Sequence, residues 1–312
     1  MLRQTSGQCA RLSSAHRVRS NAREIDVYIV FQRDSWTIRS NVAEHIVVLI
    51  TAAIAIAATF ATSAGAAPGT RAGAHPVAAH EADTLRVVVV VTDTATHRSL
   101  VHGATLGAEE AARTGILFGQ PVTITVIEGA AYDSIARSPA RRSSRTPSIY
   151  VVAGDSALCS RFLHQSAAAA APVLDVGCPR TGMAGPATYA IDSRPANESA
   201  SDSSHLELWH SSLERFGAEQ LNQRFRRRFN APMDSDAWAG WFAMKIALDL
   251  ALHAHTASPS ALLAQLADPH ASFDGQKGRP LRFDPDSHRL LQPLYRVAGT
   301  GDSSHVIAEV AP

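Results

Sequence analysis

Three short polar triples stand directly behind apolar runs. They are Thr92-Asp93-Thr94, Gly154-Asp155-Ser156 and Gly177-Cys178-Pro179. In an open parallel sheet, ligands bind beyond the carboxyl ends of the strands. A helix that follows such an end offers backbone N–H groups to a carboxylate or a hydroxyl. Thr92, Asp93, Thr94, Asp155 and Ser156 are therefore the candidate ligand-binding residues. Small hydroxyl side chains there leave room for a solute and supply adaptable hydrogen bonds. The same residue types cap helix N-termini, a structural role that the sequence alone does not separate from binding. If Asp93 and Asp155 face the ligand, they repel an anion and favour a neutral or cationic solute.

Other constellations point away from chemistry. The chain has no GxSxG, HExxH or GxGxxG motif, so the expectation is a protein that is not an enzyme and carries no cofactor. His253 and His255 are two residues apart in a helical stretch and project to different faces, which argues against a shared metal. The turn Phe273-Asp274-Gly275-Gln276-Lys277-Gly278 lacks the spacing and final hydroxyl of a phosphate-binding loop. Trp209, Trp238 and Trp241 fall at helical spacing and read as core rather than as stacking platforms. The run Arg226-Arg227-Arg228 reads as a solvated helix face. With a net charge of +1, the chain presents no field for nucleic acid.

The elements that must position the triples follow from periodicity. Leu85–Val91, a continuous β-branched run, suits a parallel strand buried on both faces. Leu100–Thr114 reads as a helix and Pro121–Ile127 as a second strand, which together imply a right-handed crossover. Residues 129–147 read as a loop or short helix. Strands are expected at Ser148–Ala153, Ala171–Gly177 and Thr188–Ile191, with a helix over Ala157–Ala171. After a polar break at 193–204, helices are expected over Leu206–Phe229, Asp236–His255 and Pro259–Leu266. Short strands are expected at 281–283, 293–297 and 305–310. Apolar residues make up 46% of 312, enough to build a sizeable core.

Ile46–Phe60 is an uncharged apolar run, short for a spanning helix and suited to the core of an export signal. Ala64-Gly65-Ala66 behind it fits a signal-peptidase site. Residues 1–45 then form an extension ahead of the signal, 46–66 the signal and 67–84 a linker, with the true translation start nearer the apolar run. An uncleaved membrane anchor is the alternative. Past residue 66 only Cys159 and Cys178 remain, and an oxidising compartment permits a disulfide between them. Two buried free thiols are the other possibility.

The segments VVVVVTDT, VHGATLGAEEAARTG and PVTITVIEG resemble the opening of branched-chain amino-acid-type periplasmic binding proteins. WHSSLERFGAEQLNQRFRRRFNAPMDSDAWAGWFAMKIALD, FDGQKGRPLRF and LLQPLYRV look like the branch of that family associated with pyrroloquinoline-quinone-dependent alcohol dehydrogenase systems. The resemblance covers about Leu85 to Pro312. It implies an α/β fold of the type I periplasmic-binding-protein kind, with parallel sheets flanked by helices. It also implies a periplasmic receptor that delivers a small-molecule solute to an ABC permease in the inner membrane, linked to a quinoprotein dehydrogenase system. By this likeness Thr92, Thr94 and Ser156 hold the solute, and the FDGQKG turn lies near the hinge. The chain departs from the family in one respect. Only about residues 192–206 separate the first lobe's strands from the final helices, where the family builds a second lobe. The expected organisation is thus a first lobe at 85–191 and a reduced second lobe, with C-terminal helices and returning strands, at 192–312. The shortening also suits a second function, an accessory scaffold of a quinoprotein system with no cargo.

Overall fold

The computed structural model describes residues 83–129, 146–166, 171–179, 185–195 and 204–311. The expectations for the N-terminal extension, the export segment, nearly all of the linker, most of the 129–147 loop and most of the polar break lie outside the described residues.

The β-branched run folds as β1 (Leu85–Val91), with Leu85, Val87, Val89, Val90 and Val91 buried. It is flanked on one side by β2 (Val122–Glu128) and on the other by β3 (Ile149–Ala153). Val89 stands between Val126 and Val151 in register. β4 (Val173–Gly177) and β5 (Thr188–Ala190) extend the sheet to the order β2-β1-β3-β4-β5, with every pairing parallel. A strand central in such a sheet is covered on both faces, which accounts for the lack of polar alternation in β1.

α1 (Arg98–Leu117) crosses from β1 to β2, and α2 (Ser156–Ser166) follows β3. Beyond the polar break come α3 (Ala218–Phe229), α4 (Ser235–Ala254) and α5 (Pro259–Leu266). Their starts obey capping chemistry. Asp234 accepts from the Ala237 N–H, and Ser258 accepts from the Ala261 N–H with Pro259 opening the helix. α4 lies along α1 and also reaches β1, β3 and β4. This double contact explains why α4 is apolar nearly all round. Trp209, Trp238 and Trp241 are buried, with Trp209 and Trp238 stacked at 6.0 Å. All three are core; Trp238 and Trp241 are so from a helix, as their spacing predicts, and Trp209 from the segment after β6.

A second sheet is antiparallel. β6 (Ser204–Glu207) and β11 (His305–Val310) flank β10 (Leu294–Ala298). A small third sheet holds β7 (Phe273–Asp274), β8 (Pro280–Phe283) and β9 (Leu290–Leu291). Among the described residues, the β2-β1-β3-β4-β5 sheet is the one parallel sheet.

The expected helix over Leu206–Phe229 is corrected. Its first residues form β6, a 3-10 turn follows at Arg215–Gly217, and the α-helix begins only at Ala218, behind Gly217 at φ 87°. The apolar spacing misled because strand, loop and helix all turn toward one core, burying Leu206, Trp209, Leu221 and Phe225. Asn222 ties these pieces together. Its Oδ1 accepts from Trp209 Nε1 at 2.8 Å, and its Nδ2 donates to the carbonyls of Ser211 and Leu213.

Cys159 in α2 and Cys178 after β4 are joined as a disulfide, with Cα atoms 5.9 Å apart. The bond closes a loop with a sequence separation of 19. Loop-closure entropy of that size is about 3 kcal/mol. Cys159→Ser together with Cys178→Ser is expected to lower unfolding free energy by about that amount. Urea titration of both forms checks this, and equal midpoints would show that the crosslink contributes nothing.

Candidate functional site

The carboxyl end of the β1/β3 pair gathers the residues singled out by the sequence. Thr92 Oγ1 accepts from the Asp155 N–H at 2.9 Å, so the β1 and β3 triples touch directly. The approach is close enough that a Cβ on Gly154 would stand 2.6 Å from Thr92 Oγ1. Asp155 Oδ1 accepts from the Leu158 N–H at 2.7 Å and so caps α2. Asp93 Oδ1 accepts from the Thr96 N–H at 2.8 Å. The hydrogen bonds from Thr96 hold its carboxyl below the ordinary range. Ser156 is exposed as the first residue of α2. The third triple is held by the strand ahead of it, because Asp175 Oδ1 in β4 accepts from the N–H groups of Gly177 and Cys178 at 3.1 and 2.8 Å.

Thr94 turns away from this pair and meets a residue that sequence reasoning missed. Its N–H and its hydroxyl both donate to Glu128 Oε1, at 3.1 and 2.8 Å. The available signal was the single acid ending the alternating strand PVTITVIE. A third helix start also reaches this rim. Ser99 Oγ near the start of α1 donates to Asp234 Oδ1, the cap of α4, at 2.6 Å. Behind it, burial raises the Asp236 carboxyl pKa, and Asp234 adds to that shift. The helix starts at this rim therefore already carry aspartates: Asp93 beside α1, Asp155 on α2 and Asp234 on α4. Such an edge repels an anion and suits hydroxyl, amide or ammonium groups. Among the described residues, no group of three His, Cys, Asp or Glu side chains could hold a metal ion.

A second feature missed from the sequence is Lys277, in the turn between β7 and β8. It is buried, and its ammonium donates to Leu208 O at 2.6 Å, Gln292 Oε1 at 2.7 Å and Pro293 O at 3.0 Å. It also stands 4.0 Å from the centre of the Trp238 ring. Gln292 passes the link on, donating through Nε2 to Ile191 O at 2.6 Å. Burial drives the lysine's pKa well below its ordinary value. Glycines around a lysine suggested only a turn, since nothing local in FDGQKG marks the side chain as interior.

No protein-family model matches the chain, and no curated protein matches it. Solved structures do. A branched-chain amino-acid transporter from Rhodopseudomonas palustris superposes with a TM-score of 0.59 at 10% identity, over 73% of this chain and 96% of that one. The branched-chain amino-acid substrate-binding protein LivJ from Streptococcus pneumoniae, solved with isoleucine, gives 0.57 at 12% identity, over 74% and 100%. A solute-binding protein from R. palustris, solved with benzoate, gives 0.56 at 13% identity, over 73% and 97%. Together with the β2-β1-β3-β4-β5 sheet, they show that the chain has the α/β fold of type I periplasmic binding proteins, a parallel sheet flanked by helices.

Proposed function

We propose that the chain is a solute receptor serving an ABC-type importer, with its cargo held at the carboxyl edge of β1 and β3. The observation that carries this reading is the convergence of Thr92, Asp93, Asp155 and Ser156 at that edge, bridged by the Thr92–Asp155 hydrogen bond. Support comes from the solved proteins of the same fold, whose descriptions name substrate binding and transport. The acid-lined rim selects a neutral or cationic small molecule. In this reading residues 46–66 direct export and are removed, 67–84 are a linker, and the receptor works in the periplasm with an inner-membrane permease. No described helix is long and apolar enough to cross a membrane. The C-terminal motifs supply the finer proposal, a link to a quinoprotein alcohol dehydrogenase system.

One observation favours a second reading, the cargo-free scaffold. The hydroxyl of Thr92, that of Thr94 and the carboxylates of Asp93 and Asp155 are all engaged with neighbouring groups. A receptor must exchange some of these bonds for bonds to cargo. Only residues 191–203 stand between β5 and β6, where a closing lobe would have to be built.

A thermal-shift and calorimetry screen of the purified chain separates the two. The panel holds short alcohols, aldehydes, amines, neutral amino acids and pyrroloquinoline quinone. The expected result is one class that raises the melting midpoint, by about 2.7 kcal/mol of stabilisation at a hundredfold excess over its Kd. Thr92→Val is expected to weaken that ligand by tenfold or more, because it removes the bridging hydroxyl. A cooperative melt that no compound moves would leave the scaffold standing.

A further inference from the structure

A groove of about 440 Å³ lies among residues that the strand-end site does not use. Its apolar wall includes Leu206, Leu291, Leu294 and Val310, contributed by β6, β9, β10 and β11. Its polar members include Ser193 and Arg289. Its size falls in the range of small-molecule sites, and it combines an apolar lining with a few polar groups, as such sites do.

Two groups there have unspent capacity. The guanidinium of Arg289 is half-buried, and Nη2 donates to Arg194 O at 3.2 Å. No carboxylate among the described residues forms an ion pair with it. The neighbouring Arg194 has its own partner, Asp192, at 2.8 Å. A guanidinium has five N–H donors, so most of its fork stays available for a bidentate acceptor. Independently, the Ser193 hydroxyl oxygen is buried without a hydrogen-bond partner among the described residues. A buried hydroxyl left so calls for a ligand or water. The one acid lining the groove, Asp284, is directed into its own turn. Its Oδ1 accepts from Asp286 N, Ser287 N and Ser287 Oγ.

We propose that this groove binds a small monocarboxylate with an aliphatic body, its carboxylate on Arg289 and Ser193 and its chain along Leu206, Leu291 and Val310. The site stands apart from the strand-end edge in residues and in charge preference. It remains meaningful whether or not that edge binds cargo.

Isothermal calorimetry of the full chain with butanoate, hexanoate and octanoate tests the proposal, with 1-octanol and octylamine as the uncharged and cationic counterparts. Each added methylene is expected to tighten binding by up to about fourfold. The alcohol and the amine are expected to bind at least tenfold more weakly than octanoate. Arg289→Gln is expected to remove at least tenfold of octanoate affinity, and Arg289→Lys to retain part of it. Leu291→Gln, which leaves the guanidinium in place, is expected to flatten the chain-length dependence. It keeps the test decisive if an Arg289 variant fails to fold. The proposal is overturned if no carboxylate binds, if octanol binds as well as octanoate, or if octanoate affinity is unchanged in the folded Arg289→Gln protein. Loss of octanoate binding in Thr92→Val with retention in Arg289→Gln would also overturn it, by placing the ligand at the strand-end edge.

Discussion

Lys277→Ala is expected to lower the unfolding free energy by about 4 kcal/mol, from buried neutral acceptors left unpaired at about 1–3 kcal/mol each and from the cavity left by the stem. The ammonium satisfies the carbonyls of Leu208 and Pro293 and the Gln292 side-chain oxygen, and alanine leaves all three acceptors in the interior. It also empties the space over the Trp238 ring. Lys277→Met isolates the polar part, since methionine refills much of the stem's volume. It is expected to cost about 3 kcal/mol, because unsatisfied buried acceptors keep their desolvation penalty. Urea titration at neutral pH is the measurement. Parent-like stability in Lys277→Met would mean that the ammonium's burial cost cancels its bonds, and the hub would then add no net stability.

The protonation state of that lysine follows from geometry. Burial disfavours the charge, yet three acceptors surround Nζ and an aromatic face lies against it. A neutral amine has two protons and would turn its lone pair on a carbonyl oxygen, so the site favours the ammonium at neutral pH. Because the folded-state pKa lies below the unfolded value, the unfolded chain binds more protons between the two. Stability is therefore penalised most below the folded value and recovers as pH rises toward the unfolded value of about 10.4.

The centre of the parallel sheet was legible because β1 carries a pattern suited to one environment. LRVVVVV is apolar without alternation, and it occupies the middle of a parallel sheet covered on both faces. The crossover α1 was legible from its small apolar residues, since Ala104, Ala108 and Ala111 form the face that is buried. Leu206–Phe229 was not legible as it folds. Its period of about 3.6 arises from three consecutive segments that share a core, and its first residues are strand because β6 pairs with β10.

Legibility at the candidate site divides in the same way. Thr92, Asp93, Asp155 and Ser156 are local features of strand ends, so topology alone brings them together. Their hydrogen-bond partners were not readable. Glu128 engages Thr94 only because β2 pairs with β1 in a register that sets Glu128 opposite Val91. Lys277 and Arg289 were invisible for a further reason. Both lie in the short-strand region after α5, where burial is decided by contacts with residues 191–208 rather than by periodicity. A charged residue in a polar turn reads as solvated until those distant carbonyls are known.

Gly103→Val is expected to be the most damaging change along the α1/α4 contact. A Cβ at Gly103 would stand 1.8 Å from Ala237 O and 2.8 Å from Ala237 Cα, both backbone atoms of α4. Across the same contact, a Cβ at Gly240 would stand 2.3 Å from Leu100 O. Neither overlap can be relieved by a side-chain rotation, so the helices must separate. Overpacking of this kind costs about 1–3 kcal/mol per site and can exceed that range. Gly103→Ala makes the cause readable. At an exposed helix position that change gains about 1 kcal/mol, so a net loss of about 2 kcal/mol from alanine means a steric cost of about 3 kcal/mol. Arg113→Ala, exposed on the same helix, is the control and is expected to stay within about 0.5 kcal/mol of the parent. A stabilised Gly103→Ala protein would sink the backbone-contact account. The consequence reaches the site, because Ser99 near the start of α1 bonds the cap of α4 at the same rim as Thr92 and Asp155. Spreading the helices pulls that rim apart. Under the receptor proposal, a Gly103→Ala protein that still folds is therefore expected to lose ligand-induced stabilisation along with its own stability.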